Sequence, residues 1–297
     1  MTGPRPIKRI ALIGFGEVGQ ILGQDLLIDG VVISTFDLAF AVAASGQSNA
    51  AARIGARQAR SAREAVEGCD LVISAVTAAQ TLPAAQSVTG GLLKNALFLD
   101  LNSASPGIKR QAADAIQDAG GRYVEAAVMS PFPPKRVATS ILLGGPHAEA
   151  FLQEARDLGF AGARLFSTDI GKASAAKMCR SVMVKGIEAL LSESLLTARG
   201  YGVEATVLAS LDDLFPGPDW PKLAHYMIGR TLEHGARRAE EMREAARTIS
   251  EAGLAPHMSA ATAERQAWAP QFAAALSQAD LTDMLDAMRT MMKEQAR

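Results

Sequence analysis

Two stretches hold residue types whose spacing can do chemistry. The first is "GKASAAKMCRS", residues 171–181, where Lys177 and Ser181 stand one helical turn apart among small side chains. On a helix, positions four, seven and eleven residues after the lysine share its face, so Ser181, Val184 and Glu188 line up with it. The small neighbours leave room for another molecule to approach. A lysine desolvated beside a substrate can take a proton from a hydroxyl and return it. Read without context it is one more surface charge, because lysines rarely sit buried without a partner. The surroundings decide between the two.

The second stretch is "GFGEVG", in which Gly14, Gly16 and Gly19 form G-x-G-x-x-G between an apolar run and a helical pattern. The first glycine permits a tight turn, the second lets the backbone approach a pyrophosphate, and the third lets the helix pack close to the strand. Gly14, Phe15, Gly16, Glu17, Val18 and Gly19 are therefore the expected cradle of a dinucleotide. Asp37 closes the next apolar run, where a ribose-binding carboxylate is expected, or it is a turn residue that caps the strand. A ribose-binding carboxylate favours NAD, since it repels the 2'-phosphate of NADP. Arg53, Arg57 and Arg60 would reverse that preference if one folds back, and otherwise form a solvated helix face.

These groups need elements to hold them. "RIALIG", "VVISTFD", "DLVISAV", "ALFLDLN", "RYVEAAV" and "SILLGG" read as buried strands, with "RLFSTDIG" as the last. Helical stretches between them mean βαβ units and a mainly parallel sheet, an α/β Rossmann domain over residues 1–168. Ligands in such sheets bind beyond the C-terminal strand ends. Ala75, Val76 and Thr77 end one strand with a loop suited to a nicotinamide ribose. Asn102, Ser103 and Ser105 end another, where at least one should cap the helix that starts at Pro106. From residue 169 the pattern is helical to the end, an all-α domain entered through one long helix with Thr168 or Asp169 as candidate caps. "RTLEHGARRAEEM" reads as a solvated helix laced with ion pairs, with His234 its candidate for substrate contact. The Met-rich tail "DMLDAMRTMMK" reads as a packing or dimer face.

Composition narrows the function. A net charge of −1 over 297 residues gives no basic surface for nucleic acid. The two cysteines, Cys69 and Cys179, have no metal-ligand spacing and suit a reducing compartment. No apolar run reaches the ~18 residues of a membrane span, and the start lacks a secretory pattern. The expectation is a soluble cytoplasmic protein acting on a small molecule, without nucleic acid, membrane or metal.

Taken in order, "GFGEVG", "DLNSASP", "EAAVMSP" and "GKASAAKMCRS" resemble the motifs of the β-hydroxyacid dehydrogenase and 6-phosphogluconate dehydrogenase superfamily over essentially the whole chain. The helical C-terminal part, with "HGARRAEEM", resembles the branch of phosphogluconate-dehydrogenase-like proteins with a variant C-terminal domain. The resemblance implies an oxidoreductase that uses NAD or NADP to interconvert a hydroxyl and a carbonyl, working as a homodimer. It makes Lys177 the general acid/base, puts Asn102 where cofactor and substrate meet, and leaves Ser181 and Asn102 to hydrogen-bond the reacting oxygen. It places Ser103, and either Met129 or Ser130, in the substrate region. Two positions depart from the family. Pro131 in "SPF" replaces part of a glycine pair and has no N–H for a carboxylate, and Ser181 replaces an asparagine. Both imply a substrate held differently from the familiar small hydroxyacids. The rival readings are an imine reductase, which usually carries another residue in place of the lysine, and a non-catalytic NAD-sensing protein.

Overall fold

A computed structural model describes residues 7–28, 30–42 and 44–295, so the extreme N-terminal stretch read for a secretory signal lies partly outside the described residues. The contacts divide the chain into two units, Met1–Lys177 and Met178–Arg297.

In the first unit the apolar runs form strands β1 (Arg9–Ile13), β2 (Val32–Phe36), β3 (Arg57–Gln58), β4 (Leu71–Ser74), β5 (Leu97–Asp100), β6 (Arg122–Val128), β7 (Ile141–Gly144) and β8 (Ala163–Ser167). The helices between them are α1 (Glu17–Asp25), α2 (Gly46–Arg53), α3 (Ala62–Val66), α4 (Thr81–Val88), α5 (Pro106–Asp118) and α6 (Ala148–Glu154). The strands make one sheet in the order β3-β2-β1-β4-β5-β6-β7-β8. Every pairing is parallel except β6 with β7. Strand order reverses direction between β1 and β4, the switch point at which open sheets of this kind bind ligands.

Both faces of the sheet are covered, which is why its strands are apolar throughout rather than alternating. Ile10, Leu12, Ile33, Leu71 and Ile73 pack with Leu22 of α1 and Phe151 of α6. The intervening residues Ala11, Ile13, Val72 and Phe98 pack on the other side with Val66, Val88 and Ile116 of α3, α4 and α5. Register aligns one rung across four strands: Ile13, Ser74, Asp100 and Glu125 are successive partners. The strand-end loops after β1, β4 and β5 therefore leave the sheet at one level.

Long helix α7 (Lys172–Tyr201) follows. Its cap comes from neither Thr168 nor Asp169. The buried carboxylate of Glu125 on β6 accepts the N–H of Gly171 through Oε2 and of Ser174 through Oε1, each at 2.7 Å. A carboxylate there satisfies two N–H groups of the helix's first turn and complements its positive end. Asp169 instead pairs with Lys172 at 2.6 Å on the surface.

The second unit comprises the rest of α7 with α8 (Glu204–Leu214), α9 (Trp220–Glu251), α10 (His257–Trp268) and α11 (Leu281–Gln295). Leu195, Ile228, Leu232 and Phe272 form its core with Met284 and Met288 of the Met-rich tail.

Glu125→Gln should weaken the start of α7 by about 2–3 kcal/mol, the usual worth of hydrogen bonds to a charged acceptor. The check is a lower melting temperature together with faster amide exchange at Gly171 and Ser174.

Candidate active site

The glycine turn has the shape the motif implies. Gly14 has φ +91°, and a Cβ there would lie 2.4 Å from the Ala75 carbonyl oxygen. A Cβ on Gly19 would lie 2.2 Å from the Gly14 oxygen, whereas one on Gly16 would meet nothing within 4 Å. So Gly14 and Gly19 let backbone pack on backbone, and Gly16 presents bare backbone outward. Gly16 is also the N-cap of α1 and gives no side-chain cap, so the first N–H groups of that helix are available to an anion. Glu17 stands exposed on the first turn and Val18 is half-buried behind it. These residues fit the pyrophosphate of a dinucleotide.

Asp37 serves the turn itself. Its Oδ2 accepts the Phe15 N–H at 2.6 Å and its Oδ1 accepts the Ala39 N–H at 2.8 Å. This is the turn-residue reading of Asp37, and because a carboxylate offers about four acceptor sites it leaves room for ribose hydroxyls. The arginines do not form one solvated helix face. Arg53 ends α2, Arg57 lies in β3, and Arg60 lies beyond it. Arg57 is tied down, donating to the Glu64 carbonyl at 2.7 Å and pairing with its carboxylate at 3.5 Å.

From the glycine turn a chain of contacts leads to the lysine, all within the first unit. Gly14 rests on Ala75. The next N–H, that of Val76, donates to Asn102 Oδ1 at 2.7 Å, and Asn102 Nδ2 donates to Ser74 Oγ at 2.9 Å. Ser103 follows, and Lys177 Nζ donates to its Oγ at 2.5 Å. Half-buried Lys177 thus sits against the strand-end loop beside the cofactor turn. Thr77 is exposed on the next loop. Met129 packs with Ala173 and Ala176, in the same turns of α7 that lead to Lys177. Ser130 is drawn to its own loop, sharing a hydrogen bond with Thr139 at 2.8 Å.

Behind Asn102 stands a buried group that the sequence reading missed. Lys109 pairs with Asp100 at 2.9 Å, the Tyr123 hydroxyl donates to the same carboxylate at 2.7 Å, and the Asn102 N–H donates to it at 2.9 Å. Burial, with Asp100 alongside, pushes the Tyr123 hydroxyl well above its ordinary pKa, so it remains a donor. A signal did exist: Lys109 shares a helical stripe with Ala112, Ala113 and Ile116, where an apolar residue would be expected. Ser105 caps α5, accepting from the Ile108 N–H at 3.4 Å.

In the second unit Ser181 is buried, and Lys185 Nζ donates to its Oγ at 3.1 Å. The charges of "RTLEHGARRAEEM" do not all face solvent. Arg237 and Glu241 do form an i,i+4 pair at 2.7 Å, but Arg238 is buried and donates to Glu188 of α7 at 2.6 Å. Gln266 of α10 donates to the same carboxylate at 3.0 Å. Burial raises the pKa of Glu188 against the opposing pull of Arg238, Gln266 and Lys185. His234 lies 3.1 Å from Glu233. Burial and the cations Arg230, Arg237 and Arg238 lower its pKa, with Glu233 opposing.

A family model described as the NAD binding domain of 6-phosphogluconate dehydrogenase matches residues 9–164. A domain of unknown function (DUF1932) matches residues 198–269. The chain is 31% identical over 220 residues to the NAD-dependent L-serine dehydrogenase of Pseudomonas aeruginosa, covering 72% of each chain. It is 28% identical over 220 residues to the 3-hydroxyisobutyrate dehydrogenase of the same organism, covering 71% of each. Among solved structures, a conserved hypothetical protein from Sinorhizobium meliloti 1021 superposes with a TM-score of 0.74 at 36% identity, covering 96% of this chain and 98% of that one.

The histidine generates a pH prediction. The folded chain keeps His234 neutral to lower pH than the unfolded chain does, so below the ordinary 6.5 the unfolded state binds more protons. Stability contributed by the neutral ring is present above that value and fades as the pH falls through it. Melting curves between about pH 7.5 and 5.5 should show a shallower decline for His234→Asn than for the wild type.

Proposed function

The chain belongs to the 6-phosphogluconate dehydrogenase and β-hydroxyacid dehydrogenase family, and from that premise we propose that Lys177 is the general acid/base of a hydroxyacid oxidation. The observation that carries this reading is the Lys177–Ser103 hydrogen bond at the end of the contact chain that begins at the glycine turn. The chain is an NAD(P)-dependent oxidoreductase acting on a hydroxyl group, and its substrate is a small molecule. NAD, when bound, would supply the acceptor for the hydride of the carbinol carbon.

The chain's own residues handle everything else. Gly14 to Gly19 would hold the pyrophosphate, Asp37 the ribose, and Ala75 to Thr77 the nicotinamide end. As the C–H bond breaks, the amine form of Lys177 takes the hydroxyl proton, and the oxygen becomes a carbonyl. In the reverse direction the ammonium returns that proton and stabilises negative charge on the oxygen. Ser103 orients the Lys177 nitrogen. Asn102 has one Nδ2 hydrogen uncommitted among the described residues and offers it to the reacting oxygen. Ser181, one turn beyond Lys177 on the same helix, offers a second donor. Met129 and Ser130 border the substrate region.

Asp37 is the support for NAD over NADP, and the engagement of Arg57 with Glu64 adds to it, since a 2'-phosphate would have to displace that pair. The free thiols of Cys69 and Cys179 suit a cytoplasmic setting. Among the described residues no helix is long and apolar enough to cross a membrane. Leu214, Phe215 and Tyr226 are exposed on the helical unit and support a homodimer.

Two measurements test the reading. Titration with NADH and NADPH should give the tighter binding to NADH; the reverse order would move cofactor selection to Arg57. With NAD and a panel of 3-hydroxy acids including L-serine and 3-hydroxyisobutyrate, Lys177→Ala should bind NADH nearly as well as the wild type. Its turnover should fall by roughly 10²–10⁴-fold, the usual worth of a general acid/base. Near-normal turnover in that variant would sink the mechanism.

A further inference from the structure

The three serines that α7 presents toward protein use their hydroxyls differently. A serine within a helix commonly donates its proton to a backbone carbonyl one turn earlier. Ser192 does so, donating to the Glu188 oxygen at 2.8 Å, and Ser174 donates to the Gly171 oxygen at 3.0 Å. Ser181 does not. Among the described residues the one hydrogen bond of its hydroxyl is the one it accepts from Lys185 Nζ at 3.1 Å. Lys185 is itself fixed by the Glu241 carboxylate at 2.8 Å, which Arg237 holds from the other side at 2.7 Å. Ser181 and Lys185 are 8% and 7% exposed, so water has little access to replace either partner.

A hydroxyl has one hydrogen and two lone pairs, and an ammonium can only donate. The Lys185 bond therefore fills a lone pair of Ser181 Oγ and turns the remaining hydrogen away from the ammonium. We propose that Lys185, fixed by Glu241, is a positioning residue that commits Ser181 to donate its hydrogen bond to the substrate's reacting oxygen. This rests on the functional reading above, in which Ser181 meets that oxygen. It also adds a selectivity. A carbonyl or alkoxide oxygen has lone pairs to accept the bond, whereas a protonated imine has an N–H and no lone pair. A serine locked as donor thus favours oxygen substrates over the imines of the rival reading.

The test is a mutant cycle. Lys185→Met/Glu241→Leu removes the ammonium and its carboxylate together, so no buried charge is left alone. It is compared with Ser181→Ala and with the triple variant. The readouts are kcat and KM on whichever 3-hydroxy acid of the panel turns over fastest with NAD, plus the melting temperature of the free protein. Loss of one aligned donor predicts a kcat lower by on the order of 10²-fold in either variant, with KM changed by less than about threefold. The triple variant should be no slower than Ser181→Ala, because Lys185 acts only through that hydroxyl. Glu241→Gln, which preserves volume, loosens Lys185 without removing it. Its smaller loss of kcat must vanish in the Ser181→Ala background, which keeps the test decisive if the pair variant melts below the assay temperature. Wild-type kcat in the pair variant, or losses that multiply in either combination, would overturn the proposal. Turnover retained in Lys177→Ala overturns the functional reading itself, so the two failures are distinguishable.

Discussion

The buried carboxylate of Glu125 joins the sheet to the start of α7 and so determines where Lys177 can be. It stands on the same rung as Ile13, Ser74 and Asp100, the level at which the strand-end loops depart. By accepting two N–H groups of the first turn, it sets the position and the rotation of the helix. Lys177 comes only six residues after Gly171, less than two turns along. A lysine has a long, flexible stem, and reaching a particular oxygen from it demands a fixed origin. The anchor that supplies it is backbone held by buried charge, with no flexible connection in between.

The same design recurs around the cofactor turn. Asn102 is held by Asp100, which is held by Lys109 and Tyr123, and Asn102 in turn fixes the Val76 N–H. Asn102 is thereby rooted, through Asp100, in a strand and a helix of the sheet unit. Buried polar groups of this kind are costly unless fully hydrogen-bonded. Here four such groups satisfy one another, and the result is a strand end with one available shape. Catalysis that depends on orientation gains most from such rigidity.

Much of this was legible in the sequence because it rests on local rules. Glycine spacing after an apolar run, the acid closing the next strand, and the small residues around Lys177 all act within a few residues of themselves. So did the Ser105 cap ahead of Pro106. What escaped is long-range and polar. Nothing near Gly171 in the sequence announces that its cap lies 46 residues earlier on a strand. The one hint was a glutamate inside the apolar run "RYVEAAV". Arg238 looked like its solvated neighbours because its partner, Glu188, stands on another helix 50 residues away. Arg57 was read on a helix because β3 is two residues long and carries no apolar signal.

The double duty of Asp37 has a consequence for how this protein's cofactor preference can change. The carboxylate that would greet a ribose also closes the Phe15 N–H and so shapes the turn beneath the pyrophosphate. Replacing it to admit a 2'-phosphate removes an acceptor from that backbone, so a switch made there trades affinity at one end of the dinucleotide for disorder at the other. Arg57 stands apart from the glycine turn, beside β2, but its shorter bond is to the Glu64 backbone carbonyl, which no exchange of the Glu64 side chain removes. Admitting a 2'-phosphate, in nature or by engineering, therefore means reshaping backbone at the turn or at the segment that holds Arg57, and no single side-chain exchange does either.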